Sequence, residues 1–210
     1  LGTQQDFTAL ALVKRVPVVD LNKSPAGFIT EQSKRIYYHL LYLERKELGT
    51  PYTQIVQDIK RITRDEELKG NVSTIVDATG VGLPVIEMMR QAGIAPLVAI
   101  SIHGGNAINS RSDGYSVPKR DLVTSLLLVI QSRRLQVAAD IDHRSQLVHE
   151  MQSFKMKQNA AGSDTYEALM EKDHDDLVLA LSYAIWYPER TLGNNSNITP
   201  TRHDDVDLLS

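Results

Sequence analysis

The sequence has no cysteine among its 210 residues. Disulfides, thiolate metal sites and cysteine nucleophiles are therefore excluded. It also has no apolar run of membrane-spanning length and no signal-peptide pattern. It contains no G-x-x-x-x-G-K-[ST] loop, and Gly80-Val81-Gly82 does not continue as G-x-G-x-x-G because residue 85 is Val. A nucleotide-binding α/β domain is therefore an alternative with little support. Measurable ATP binding would strengthen it.

The composition is that of an ordinary globular protein, with 42% hydrophobic and 23% charged residues and a net charge of −3. This balance counts against a globally basic nucleic-acid-binding surface, although a local basic patch could still serve. Because cysteine is absent, a metal site would have to use Asp, Glu or His. Those ligands favour a hard ion such as Mg²⁺ or Mn²⁺.

The most informative stretch runs from Asp173 to Ala184. Its apolar residues recur at i, i+3, i+4 and i+7, which predicts an amphipathic helix. The carboxylates and the imidazole before it fall at the start of that helix: Asp173, His174, Asp175 and Asp176. One interpretation is a helix N-cap, and the other is cation binding, because adjacent Asp side chains repel each other unless a cation lies between them.

The rest of the chain predicts one α/β domain over residues 1–190 and a flexible tail over 191–210. Hydrophobic patterns predict strands at 7–13, 16–19, 35–44, 72–77, 96–102 and 135–137, and helices at 51–68, 83–91, 118–132 and 140–153. The first three strands suggest an antiparallel meander, and 72–102 suggests a parallel βαβ unit. A polar loop is expected at 103–114 and a β-hairpin at 154–169. The sheet is thus predicted to be mixed and flanked by helices.

Asp77 closes a buried-looking strand and precedes a glycine-containing turn. Ligands of open α/β sheets gather at the carboxyl ends of strands, so Asp77 is either a ligand-holding carboxylate or a turn residue. Asp6 precedes the first strand and either lines the same end of the sheet or forms a turn. Paired-ion phosphodiester hydrolysis needs carboxylates that converge from different elements on ions about 3.5–4 Å apart. Asp77, Asp175 and Asp176 could supply them.

Several stretches resemble the nuclease domain of phage large terminases, which has an RNase H-like (RuvC-like) fold. They are residues 1–10, 75–82, 117–123 and 174–181, in a chain that looks like a fragment of a longer protein. The resemblance covers roughly residues 1–188. It implies a two-metal-ion endodeoxyribonuclease that binds Mg²⁺ or Mn²⁺ and cuts double-stranded concatemeric DNA during genome packaging. Low sequence specificity is expected, since nothing resembles a base-reading helix.

The resemblance also implies roles for individual residues. Asp77 and Asp176 would be catalytic, and the metal ligands would be Asp77, Asp175 and Asp176, with Asp6 assisting. The family pattern places its first Asp immediately before Leu1, outside this sequence. A further set of residues is predicted to contact DNA phosphates; the alternative interpretation is that their side chains are ordinary charges exposed to solvent. That set is Lys119, Arg120, Lys155, Lys157 and His174.

In the full-length protein the expected partners are an ATPase motor domain, a small terminase subunit and the portal, in the host cytoplasm and without a membrane. Two alternatives remain open. One is a RuvC-like resolvase of branched DNA, and the other is a non-catalytic module that docks on DNA or the portal. The second His-Asp-Asp, at 203–205, is followed by no apolar helix and is assigned no role. Glu150 is expected to be structural, on the polar side of its helix.

Overall fold

The structure is a computed structural model that describes residues 7–19, 34–80, 82–160 and 175–191; for 82 and 153–160 it describes the backbone alone. The strands are β1 (Ala9–Val19), β2 (Lys34–Arg45), β3 (Thr74–Asp77), β4 (Leu97–His103), β5 (Asn109–Arg111), β6 (Gly114–Pro118) and β7 (Leu135–Val137). The helices are α1 (Tyr52–Thr63), α2 (Gly82–Gln91), α3 (Lys119–Gln131), α4 (Arg144–Ala160) and α5 (Asp176–Thr191).

The α/β class is confirmed, but the described strands form two sheets rather than the single mixed sheet that was expected. One sheet has the order β1-β2-β7, with β1 antiparallel and β7 parallel to β2. The other has the order β3-β4-β6-β5, in which β3, β4 and β6 are parallel and β5 is antiparallel. The predicted βαβ unit is therefore confirmed as β3-α2-β4. Strands β1 and β3 are edge strands of the two sheets, and residues of both line one cleft.

The predicted three-strand meander is wrong. Lys14 and Arg15 do not form a turn but continue β1, so the first two predicted strands are one, paired with β2. Neither residue readily adopts the positive φ that tight hairpin turns require. A shift of register between Leu12 and Val13 marks a bulge, and Pro17 is tolerated because β1 is an edge strand.

Two further predictions change. The expected loop at 103–114 includes β5, which forms a hairpin with β6. The expected hairpin at 154–169 is wrong in its first arm, because 154–157 continue α4 to Ala160. Their alternating pattern fits a strand locally, but no Pro or Gly interrupts the preceding helix there. Residues 161–169 and the predicted tail from 192 onward lie outside the described residues.

Helix α5 connects the apolar interiors of the molecule. Leu177 and Leu181 are fully buried in a cluster with residues of β2, α3 and α4. Tyr183 and Trp186, on another side of α5, pack with Ile100 of β4 in a second cluster. The interior of α1, α2, β3 and β4 forms a third. The residues at the start of α5 are thereby fixed against both sheets. None of the described helices is both long and apolar enough to span a bilayer.

Candidate functional site

Asp77 is held at the carboxyl end of β3 by the turn that follows it. Its Oδ1 accepts a hydrogen bond from the Thr79 amide at 2.8 Å. The Thr79 hydroxyl in turn accepts one from the Ile102 amide of β4 at 2.7 Å. Because the turn is anchored on the neighbouring strand, the position of the Asp77 carboxylate is set by the sheet itself.

The first turn of α5 is capped by a residue from another helix. Glu150 of α4 is 8% exposed, and its Oε2 accepts hydrogen bonds from the amides of Leu177 and Val178, both at 3.1 Å. Burial raises the pKa of Glu150 above its usual value, although the two amides and Arg45 oppose that change. These amides are the groups that an N-cap side chain normally satisfies. A capping role for Asp175 is therefore not needed at these two amides.

The neighbouring Asp175 and Asp176 are each matched by a cation from another element. Lys119, the first residue of α3, lies 3.0 Å from Asp175 Oδ2. Arg45, at the end of β2, lies 3.8 Å from Asp176 Oδ2 and also pairs with Glu150. The Phe7 ring supports the Arg45 guanidinium, 5.1 Å from the ring centroid. The repulsion between the two carboxylates is thus offset by protein side chains.

A cleft of about 450 Å³ brings the carboxylates of different elements together. It lies between β1 and β3, with α1 and α5 on its other sides. Asp77 and Asp176 both line it. The remaining lining is largely apolar and includes Leu10, Leu12, Ile59 and Leu179. The cleft is thus an apolar trough with acidic groups contributed by β3 and α5.

Tyr183 connects the acidic residues electrostatically. Its side chain lines the cleft and is 5% exposed, and its hydroxyl makes no hydrogen bond of standard geometry within the described part of the chain. Burial raises the pKa of Tyr183 above its ordinary value, and the negative charges of Asp77 and Asp175 raise it further. Asp77 and Asp175 therefore both act on one buried hydroxyl, although they are far apart in the sequence.

The structure brings three of the predicted site residues into one neighbourhood: Asp77, Asp175 and Asp176. Lys119 is in that neighbourhood too, paired with Asp175 and only 20% exposed. Arg120 is 43% exposed and lies 3.4 Å from Asp121. Lys155 and Lys157 are in the part of α4 described by its backbone alone, and Asp6 and His174 lie outside the described residues.

Three residues of this neighbourhood were not predicted as site residues from the sequence: Arg45, Glu150 and Tyr183. Arg45 follows an ordinary strand pattern, and Tyr183 lies outside the apolar repeat that predicts its helix. Glu150 was expected to be structural, which fits its capping role, but its contact with α5 depends on how two helices dock. No local signal in the sequence identifies such a contact.

The donor chemistry of the site suits a hard divalent ion, because Asp77 and Asp176 offer carboxylate oxygens at one cleft. Among the residues that the structure describes, however, no three His, Asp or Glu side chains form a group that could hold an ion. Lys119 and Arg45 already neutralise Asp175 and Asp176. The described carboxylates therefore fit part of a coordination shell, and further oxygen ligands would have to come from substrate, water or residues such as Asp6.

Comparisons of the chain with protein-family models, with curated proteins and with solved structures find no match.

Proposed function

We propose that this chain is a metal-dependent endonuclease domain of a DNA-packaging terminase, with an RNase H-like arrangement of its sheets. One observation carries the proposal: Asp77 and Asp176, which are distant in the sequence, line the same cleft. Asp175 supports it, because its negative charge and that of Asp77 both raise the pKa of the buried Tyr183 hydroxyl. Carboxylates converging from separate elements are the arrangement that phosphodiester hydrolysis by divalent ions requires.

Asp77 and Asp176 would hold Mg²⁺ or Mn²⁺, with Asp175 assisting and Asp6 as a predicted further ligand. The bound ion would lower the pKa of water and stabilise charge on the phosphoryl oxygens. The chain itself would fix the carboxylates in advance through the Thr79 turn and the Glu150 cap. Preorganised charge of this kind lowers the barrier because it need not rearrange during the reaction.

Lys119 and Arg45 would serve as the cationic side of the site. Both lie beside carboxylates and are partly exposed, at 20% and 15% of their side chains. When an ion occupies the carboxylates, Lys119 would be released to attract the scissile phosphate, while Arg45 stays paired with Glu150 and adds positive charge beside the site. Water would attack phosphorus in line, and the bond from phosphorus to the leaving oxygen would break. No base-reading element is assigned, so cleavage would be largely independent of sequence.

The test is cleavage of supercoiled plasmid with Mn²⁺ by the full chain and by two variants, Asp77→Asn and Asp176→Asn. We expect nicking and linearisation by the parent chain and at least about 100-fold slower cleavage by each variant, as for the loss of one major electrostatic group in an active site. The chain provides a matched control in its second His-Asp-Asp, and Asp205→Asn should cleave like the parent. Equal cleavage by all four proteins would indicate a contaminating nuclease.

Binding of Mn²⁺ measured by electron paramagnetic resonance separates the ion site from the reaction. The parent chain and Asp205→Asn should bind Mn²⁺, and Asp77→Asn should bind it at least tenfold more weakly. A chain that neither binds Mn²⁺ nor cleaves DNA would overturn the nuclease and favour the docking module. Faster cleavage of a four-way junction than of a linear duplex would instead favour the resolvase.

A further inference from the structure

A basic patch lies on the sheet β1-β2-β7 and on the turn that leads into β7. We define it as Lys14 of β1, Arg35 of β2, and Arg133 and Arg134, which connect α3 to β7. The first three of these are exposed. Lys14 is paired with His39, four residues along β2 from Arg35, so these two cations lie on one face of the sheet about 13 Å apart along the strand direction.

The contacts within the patch leave positive charge in excess. The Arg35 guanidinium donates a hydrogen bond to the Ser132 carbonyl and stacks over Tyr37, 5.5 Å from the ring centroid. These contacts fix its position without neutralising it. Arg134 forms a two-point ion pair with Glu189, at 2.8 and 2.9 Å. Among the described contacts of the four cations, the Arg134–Glu189 pair is the one in which a carboxylate neutralises a cation. A face of this kind, on a chain of net charge −3, is suited to a polyanion.

Arg133 is the most informative member of the patch. The Arg133 amide bonds to the Ile130 carbonyl, and the Arg134 amide bonds to the Val129 carbonyl, both at 2.9 Å. This is the Schellman arrangement that ends a helix, and its left-handed position is usually occupied by Gly. Here that position has φ +54° and carries an arginine. A strained backbone position has thus been given an exposed charged side chain where glycine would fit better.

Helix α5 sets the distance from Arg134 of this patch to the candidate site. Asp176 begins the helix, and Glu189, which pairs with Arg134, lies near its end. At 1.5 Å per residue the two are separated by about 20 Å along the axis. That length corresponds to about six base pairs of duplex DNA at 3.4 Å each.

We propose that the basic patch binds the phosphate backbone of double-stranded DNA and holds the duplex on one side of the cleavage site. The inference rests on the proposed function for the identity of its partner. It differs from the DNA contacts expected from the sequence, because none of the four patch residues was predicted to bind DNA. The contacts are to phosphates, so binding should be independent of sequence and sensitive to salt.

The test is fluorescence anisotropy of a labelled 20-base-pair duplex with the full chain in EDTA, where no cleavage occurs. Lys14→Glu and Arg133→Gly should each weaken binding at least about threefold and reduce the slope of log K against log salt by about one. Lys69→Glu and Lys69→Gly carry the same changes of charge at a distant side chain that is 71% exposed. They should bind like the parent chain.

Arg133→Gly also separates binding from folding, because glycine relieves the left-handed backbone. Its melting temperature should be equal to or higher than that of the parent chain while its affinity falls. Affinities of Lys14→Glu and Arg133→Gly equal to those of the Lys69 variants would overturn the proposal. If polyglutamate displaced the labelled duplex as effectively as unlabelled duplex does, the partner of the patch would be an acidic protein and the proposal of DNA would be overturned. Because this assay contains no metal, unchanged DNA binding by the patch variants would refute the patch and leave the plasmid and Mn²⁺ results unaffected. Conversely, a parent chain that binds DNA through the patch but does not cleave plasmid would refute only the nuclease proposal.

Discussion

The Glu150 carboxylate of α4 accepts a hydrogen bond from the Leu177 amide at the start of α5, at 3.1 Å. The same carboxylate accepts a bond from the next amide and pairs with Arg45. One buried acid therefore satisfies a helix terminus and a guanidinium together. Its contacts determine where Asp175 and Asp176 stand, although Glu150 is not among the residues that line the cleft.

Replacing Glu150 by Ala should lower the free energy of unfolding by about 2–4 kcal/mol, because it leaves two helix amides and the Arg45 charge without their acceptor. Glu150→Gln keeps one acceptor oxygen and should cost less. Urea denaturation monitored by circular dichroism measures both. Glu66→Ala is the control, since Glu66 is 87% exposed and its pair within the described residues is with the exposed Lys69, at 3.5 Å. If Glu150→Ala unfolds at the same urea concentration as this control, the capping contact is not a source of stability.

The contribution of Glu189 to stability should depend on pH. Burial favours the neutral acid, but hydrogen bonds from Arg134 and Tyr38 outweigh it, and the pKa of Glu189 is lowered from 4.5. A carboxyl group with a lowered pKa in the folded state stabilises the fold above its unfolded pKa and loses that contribution as pH falls through its folded pKa. The difference in melting temperature between the parent chain and Glu189→Gln should therefore be largest above about pH 5 and shrink below pH 4.5. A difference that stayed constant from pH 7 to pH 3 would contradict this.

Gly114 allows β4 and β6 to approach closely. A Cβ atom at this position would stand 1.7 Å from the Ala99 carbonyl oxygen, which is backbone and cannot turn aside. Gly114→Ala should therefore separate the two strands and destabilise the protein by about 3 kcal/mol or more, measured by thermal or urea unfolding. Gly80→Ala is the matched control, because a Cβ there meets no atom within 4 Å. Similar unfolding of the two variants would show that β4 and β6 can adjust without cost.

Local patterns in the sequence predicted most elements correctly. The helix from Asp176, the strand ending at Asp77 and the parallel βαβ unit depend on periodicity and turn residues that lie next to each other in the chain. The errors arose where the outcome depends on distant partners. Lys14 and Arg15 continue a strand because β2 pairs along its whole length, and no local pattern could show that β1 and β3 would be edge strands that line one cleft.

The candidate site was predictable in part for the same reason. Asp77, Asp175 and Asp176 stand out because ligands gather at the carboxyl ends of strands and adjacent Asp side chains repel each other, although a turn and an N-cap are the structural alternatives. Their partners Lys119, Arg45 and Glu150 come from three other elements, and only the docking of those elements brings them close. The left-handed conformation of Arg133 is likewise invisible in the sequence, since it depends on how α3 ends.

The division into two sheets affects how the molecule can fluctuate. Within the described residues, no strand is shared between β1-β2-β7 and β3-β4-β6-β5, so a hinge motion between them need not break a ladder in either. Asp77 moves with one sheet, whereas Asp176 moves with the helix docked on both. Local fluctuation at this boundary would therefore alter the distance between the two carboxylates before either sheet unfolds. A divalent ion bound between them would restrict that motion.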